Sequence, residues 1–168
     1  ALTGRVIEWI ALSYLSISPK TSLTDRFLDA RGLQSIPALL EDFNRHPGQY
    51  QCPAIIQTIF RSYEQDDIAA QVLLKDLAGR YVDNIVAVMN KLDLEGEPFD
   101  LVLSGKLINA PRSPLGELVA KGIEETIPYV QTTRLKAWPA IGAAIAAMDS
   151  NEFTVSESVR LKALTYTG

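Results

Sequence analysis

The 168-residue chain contains one cysteine, one histidine and no long apolar run. A single cysteine excludes an internal disulfide and any multi-cysteine metal or iron–sulfur site within this segment. Cys52 therefore reads as a small core hydrophobe. His46 lies beside Pro47 in the stretch Arg45-His-Pro-Gly-Gln-Tyr-Gln51 with no second ligand or nucleophile for company, and reads as a solvated loop residue. No apolar run approaches the roughly 18 residues that span a bilayer, and no basic-then-apolar signal opens the chain. Lysine and arginine form no cluster and the net charge is −4, which argues against nucleic acid. The expectation is a cytoplasmic protein with neither membrane nor nucleic acid among its partners. Signature motifs are also missing. Gly105-Lys106 is followed by Leu107 and lacks the upstream glycine of a phosphate loop, and no G-x-G-x-x-G, G-x-S-x-G, H-E-x-x-H or zinc spacing occurs.

What is present is a core. Hydrophobic residues make up 47% and charged residues 21%, the balance of a folded globular protein. The length suits one full domain or two small lobes. Ala1 enters a helical pattern almost at once without an initiator methionine, so the segment reads as a piece of a longer protein cut at a domain boundary.

The first third is helical by period. Val6, Ile7, Ile10, Ala11, Tyr14 and Leu15 predict a helix over Thr3–Ser16. Ser22 reads as the cap of a helix through Phe27 that stops at Gly32, and Ser35 as the cap of the next, with Leu39, Leu40 and Phe43 inward. The Pro-Gly pair makes 45–51 a loop. Pro53 starts a helix carrying Ile56, Ile59, Phe60 and Tyr63. Asp66 and Asp67 have the adjacency of a general acid/base pair, but capping of the long helix Asp67–Leu92 explains them with fewer assumptions. That helix carries an apolar stripe from Ala70 to Leu92 and should lie along a sheet. The whole segment 1–65 reads as a helical subdomain.

The second part, 66–148, reads as that long helix followed by strand, helix, strand, helix. Phe99, Leu101, Val102 and Leu103, closed by Ser104-Gly105, predict a buried strand ending in a tight turn. Ser113-Pro114 opens a helix with Leu115, Leu118, Val119, Ile123 and Ile127 inward, ended by Pro128. Tyr129–Lys136 predicts a strand open to water on one face. Trp138-Pro139 begins a helix rich in small residues, Gly142 among them, and Thr154 with Glu157 has capping-box spacing for a helix over Val155–Leu164. Residues 149–168 form a tail that frays after Leu164. The order predicts an α/β lobe with a helical subdomain wrapped on it. Open α/β sheets bind ligands beyond the carboxyl ends of their strands, which singles out Ser104, Gly105, Lys106 and Gly142. The competing reading of Gly142 is relief of crowding against the long helix.

The succession of a long helix, an acidic turn, Phe-Asp-Leu-Val-Leu-Ser-Gly, a helix, a strand and Pro-Ala-Ile-Gly-Ala-Ala resembles the C-terminal lobe of the ATPase family that contains N-acetylglucosamine kinases and the activators of 2-hydroxyacyl-CoA dehydratases, within the actin-like and sugar-kinase superfamily. The resemblance covers nearly the whole chain to about Met148 and is most specific over Phe99–Gly105 and Pro139–Ala144. It implies a ribonuclease H-like lobe that supplies the adenosine side of a cleft for ATP with Mg, with Ser104, Gly105, Lys106 and Gly142 toward the nucleotide. It also implies that the phosphate-binding turn, the sugar-binding residues and the catalytic aspartate belong to an N-terminal lobe absent from this chain. This segment then holds no catalytic residue and no metal ligand, and meets the sugar substrate only through that other lobe. The strand of the family usually ends in Ser-Gly-Gly, whereas Lys106 stands at the second glycine here. A lysine can reach a phosphate as a point charge; it can equally fill the space and abolish binding. The lack of a second cysteine leans toward the sugar-kinase branch.

Two functions compete on these grounds, beside a third reading, an ordinary helical scaffold with an accidental likeness to the family, which would lack strands at Phe99–Ser104 and Tyr129–Leu135. One is the adenosine-side lobe of an ATP-dependent sugar kinase, inactive alone. The other is a nucleotide-free regulatory or interaction module of the same fold. Oligomeric state stays open, a homodimer included.

Overall fold

A computed structural model describes residues 2–110, 113–134, 139–150 and 156–165. Eight helices and two strands are seen among them: α1 (Leu2–Tyr14), α2 (Leu23–Arg31), α3 (Ile36–Arg45), α4 (Pro53–Glu64), α5 (Ile68–Lys91), β1 (Asp100–Leu103), α6 (Pro114–Thr126), β2 (Gln131–Arg134), α7 (Pro139–Ser150) and α8 (Glu157–Thr165). The chain is thus helix-rich, with one small parallel sheet of two strands. One contiguous core runs from α1 through α6 to the approach to β2.

Helix α5 is the axis of the fold. At about 1.5 Å per residue its 24 residues span roughly 36 Å. It packs against α1 and α4 along one part and against α6 along another. Its start is fixed as its sequence predicts: the Asp67 carboxylate accepts from the Ala70 N–H at 3.1 Å. Asp66 does not cap; it occupies the left-handed region at φ 57° in the preceding turn.

Asp67 also overturns the reading of Ser22. The Ser22 side chain makes no cap for α2. Its hydroxyl donates to Asp67 at 2.9 Å, its N–H donates to the same carboxylate at 2.7 Å, and Thr21 adds its own hydroxyl. Ser22 has helical backbone angles, φ −64° and ψ −17°, rather than the extended ones of a capping residue, so its oxygen does not meet the first-turn amides of α2. Ser35 does cap α3, accepting from the Ala38 N–H.

Other departures have equally local causes. Cys52 is exposed, not in the core, because it is the N-cap residue before Pro53, outside the first turn of α4. Residues Pro47–Gln51 form a 3-10 turn rather than an open loop, pinned by the fully buried Tyr50. Tyr14 and Leu15 are exposed, since α1 buries only the stripe of Leu2, Thr3, Val6, Ile7 and Ile10 before it ends. Strand β1 is not wholly buried: Leu103 is, but Val102 is 55% exposed. Leu135 to Trp138, the Thr154 cap and the last three residues lie outside the described residues; of the predicted second strand, Tyr129 and Val130 precede β2, and Asp149 and Ser150 of the predicted tail belong to α7.

β1 and β2 run parallel, Asp100 opposite Gln131 and Leu103 opposite Arg134, with α6 as the crossover between them. Parallel pairing requires such a crossover. Among the described residues no helix is long and apolar enough to cross a membrane.

Candidate nucleotide-binding turn

The carboxyl end of β1 is where the chain leaves the core. Leu103 anchors it at 5% exposure, and Ser104, Gly105 and Lys106 are all exposed. Gly105 has φ 140°, a conformation L side chains rarely adopt, and nothing lies within 4 Å of where a Cβ would be. Its carbonyl accepts from the Asn109 N–H at 2.8 Å, which closes a helical turn. Ile108 is buried beneath it.

The far side of this turn is fastened by Ser113. Its hydroxyl donates to the Leu107 carbonyl at 2.5 Å and accepts from the Gly116 N–H at 3.2 Å. One fully buried serine therefore caps α6 and ties down the loop that precedes it. The result is a supported turn presenting a hydroxyl, an open stretch of backbone and an ammonium group. Lys106 makes no ion pair with a described residue. Those groups can contact hydroxyl or phosphate oxygens.

Gly142 is the fourth residue of α7. Five residue steps separate Arg134, at the same sheet end as Ser104, from Pro139, so the start of α7 lies within about 18 Å of it by chain length alone. The structure groups Ser104, Gly105 and Lys106 in one turn but gives no contact between them and Gly142. It does dismiss crowding against α5 as the reason for this glycine, because nothing lies within 4 Å of a Cβ added there. Among the described residues α7 touches α8, and only lightly.

A second polar constellation lies in the helical part. Asp42 accepts from Arg31 Nε at 2.9 Å and from the Tyr50 hydroxyl at 2.6 Å, with His46 Nδ1 at 3.2 Å. The Arg31 guanidinium also stacks over the Tyr50 ring, 4.9 Å from its centre. Hydrogen bonds from Arg31 and then Tyr50 hold the Asp42 carboxyl well below its ordinary range. Burial, then the hydrogen bond to Asp42, pushes the Tyr50 phenol up to about 12. Arg31, Asp42, His46 and Tyr50 all bond within the group, so the arrangement is a brace between α2, α3 and the 3-10 turn. Sequence reading passed it over because its members are spread from residue 31 to residue 50 with no motif spacing. His46, expected to be merely solvated, is exposed yet leans on this brace. The described residues hold no cluster of three or more acids, cysteines or histidines fit for a metal ion.

No protein-family model matches this sequence, and no solved structure matches it. Among curated proteins, N-acetyl-D-glucosamine kinase of Dictyostelium discoideum is 29% identical over 139 residues, which cover 81% of this chain. The chain spans 43% of that kinase's length. The sequence is thus related at a distance to a sugar kinase.

Proposed function

We propose that this chain is the adenosine-side lobe of an ATP-dependent sugar kinase acting on N-acetylglucosamine or a similar amino sugar, and that it phosphorylates nothing alone. The observation that carries the reading is the similarity to an N-acetyl-D-glucosamine kinase across 81% of the chain. The turn after β1 fits the role. Exposed Ser104, open backbone at Gly105 and Lys106, which makes no ion pair with a described residue, suit the ribose and phosphate oxygens of a nucleotide, and they stand at the strand end where open α/β sheets take ligands. ATP supplies the phosphoryl group when bound; Mg would be held mainly outside this chain. Ser104 and Lys106 orient and neutralise, while proton removal from the sugar falls to a group elsewhere. Phosphoryl transfer depends on positioning and charge stabilisation, so a lobe without the acid and phosphate turn has no turnover of its own.

The second reading, a nucleotide-free interaction module, is favoured by Lys106 standing where the resembling family has glycine. Calorimetry with ADP separates the two. The expected result is weak but measurable ADP binding that changes at least threefold in Lys106→Gly and weakens in Gly142→Val, with no sugar phosphorylation above background. ADP heats indistinguishable from buffer in wild type and both variants decide for the module. Turnover of N-acetylglucosamine by the purified chain overturns the claim of inactivity.

A further inference from the structure

Serine is followed by proline twice in this chain, at Ser18-Pro19 and Ser113-Pro114. That dipeptide is what proline-directed protein kinases accept: the residue before proline is held extended, and proline needs no partner for an N–H it lacks. The fold separates the two. Ser113 is fully buried, and its hydroxyl is committed to the Leu107 carbonyl and the Gly116 N–H. Ser18 lies in the connection 15–22 between α1 and α2, outside any helix. It is half-buried, but Pro19 and Lys20 beside it are exposed, and its hydroxyl bonds to no described residue. Leu15 and Ile17 are 63% and 69% exposed, so lifting this end of the connection uncovers little apolar surface.

Few bonds hold the connection down. At its start the Ile17 and Ser18 N–H groups donate to the Leu12 carbonyl at 2.9 and 3.3 Å. In its middle the Trp9 indole N–H donates to the Pro19 carbonyl at 3.1 Å. At its end Thr21 and Ser22 donate to Asp67. Ser18 therefore stands beside the carbonyl end of α1, which has no basic residue in its last turn. A helix C-terminus carries partial negative charge and repels an anion.

We propose that Ser18 is a phosphorylation site for a proline-directed serine/threonine kinase, and that the phosphate lifts the connection off α1 and parts Pro19 from Trp9. In the transfer the Ser18 Oγ bonds to the γ-phosphorus of ATP and the bond from that phosphorus to the β–γ bridging oxygen breaks. ADP leaves, and the hydroxyl proton passes to the modifying kinase's own carboxylate. The product adds about two negative charges where α1 already presents carbonyl oxygens. Lys20, exposed two residues on, offers the phosphate a partner on the solvent side. The Asp67 end stays anchored because Thr21 is buried. The proposal stands apart from the lobe reading and holds equally for an interaction module.

The test treats the folded chain with a purified proline-directed kinase and Mg-ATP and maps phosphate by mass spectrometry. A peptide of residues 12–24 checks that the bare sequence is a substrate. The expected result is a single phosphate, on Ser18, with none on Ser113 and none in Ser18→Ala. Trp9 then reads the consequence. Its emission moves to longer wavelength on phosphorylation, because an indole that loses its cover and its acceptor meets water; Trp9→Phe supplies the blank for Trp138. Ser18→Ala removes no bond to a described residue and keeps the emission and melting temperature of wild type. A folded chain left unmodified overturns the proposal, whether or not the peptide is phosphorylated. Phosphate on Ser113 at a matching rate shows the chain opening as a whole and overturns the selection of Ser18. Phosphate on Ser18 with unchanged Trp9 emission overturns the switch.

Discussion

Replacing Asp67 by alanine strikes two helices with one change. The carboxylate caps α5 through the Ala70 N–H and receives three further donors, the Ser22 N–H and the hydroxyls of Ser22 and Thr21. Loss of a helix cap costs about 1 kcal/mol. Each of the other three bonds is worth roughly 0.5 kcal/mol, the low end of the usual range, because Asp67 is only partly buried and water replaces some of what is lost. The sum, about 2.5 kcal/mol, corresponds to a fall of roughly 5–10 °C in melting temperature for a chain of this length. Asp67→Asn keeps one acceptor oxygen and should lose about half as much. The pH dependence adds an independent check. Burial raises the Asp67 pKa, but the hydrogen bonds from Ala70, Ser22 and Thr21 outweigh it and leave the group below its ordinary 3.8. A lowered folded-state pKa means that the stabilisation is complete above the unfolded value and is lost as pH falls through the folded one. The gap between wild type and Asp67→Ala, followed by thermal unfolding, should hold steady down to about pH 5 and narrow below about pH 4. A variant that melts within 2 °C of wild type at pH 7, or a gap that does not narrow in acid, refutes the reasoning.

Two further substitutions probe the rest of the frame. A Cβ at Gly122 in α6 would stand 2.8 Å from Val82 Cγ2 of α5, and a short branched side chain has little room to swing away. Gly122→Ala should therefore destabilise by about 1 kcal/mol in chemical denaturation, overpacking of roughly 2 kcal/mol less the gain in helix propensity; pairing it with Val82→Ala should recover most of that loss, and a stabilised single variant would refute the clash. Tyr50→Phe removes the 2.6 Å bond to Asp42 and should cost about 1–2 kcal/mol. Because the folded phenol sits at about 12, above its ordinary 10.0, wild type loses stability as pH rises from about 10 to about 12, and the variant should lose less over that range by circular dichroism.

Much of the helical skeleton was legible because its signals are local. Ser35, Asp67 and Ser113 cap the helices they precede, and Pro53, Pro114 and Pro139 each begin one. The errors came where backbone geometry or a distant partner set the outcome. Ser22 has the spacing of a cap, yet its hydroxyl goes to a carboxylate 45 residues away. Cys52 has the composition of a core residue, yet its place before Pro53 puts it outside the helix. The Asp42 brace was invisible because three separate segments supply it. Of the candidate site, Ser104-Gly105-Lys106 was readable from an apolar run closed by Ser-Gly, since a strand that ends in glycine must turn there. The link to Gly142 rested on family resemblance, and chain connectivity alone leaves it free within about 18 Å.

Helix α5 works as a lever. One end is clamped to α2 by the Asp67 carboxylate, and the other leads through an acidic turn into β1 and the Ser104 turn. A rod of about 36 Å that pivots by only 5° at the clamp sweeps its far end by about 3 Å, roughly the length of a hydrogen bond. A tilt of α5 set by the first four helices would be largest at the strand, and the loop after β1 is tied to the start of α6 through Ser113. Substitutions around Thr21 and Ser22 thus have mechanical access to the carboxyl end of the sheet.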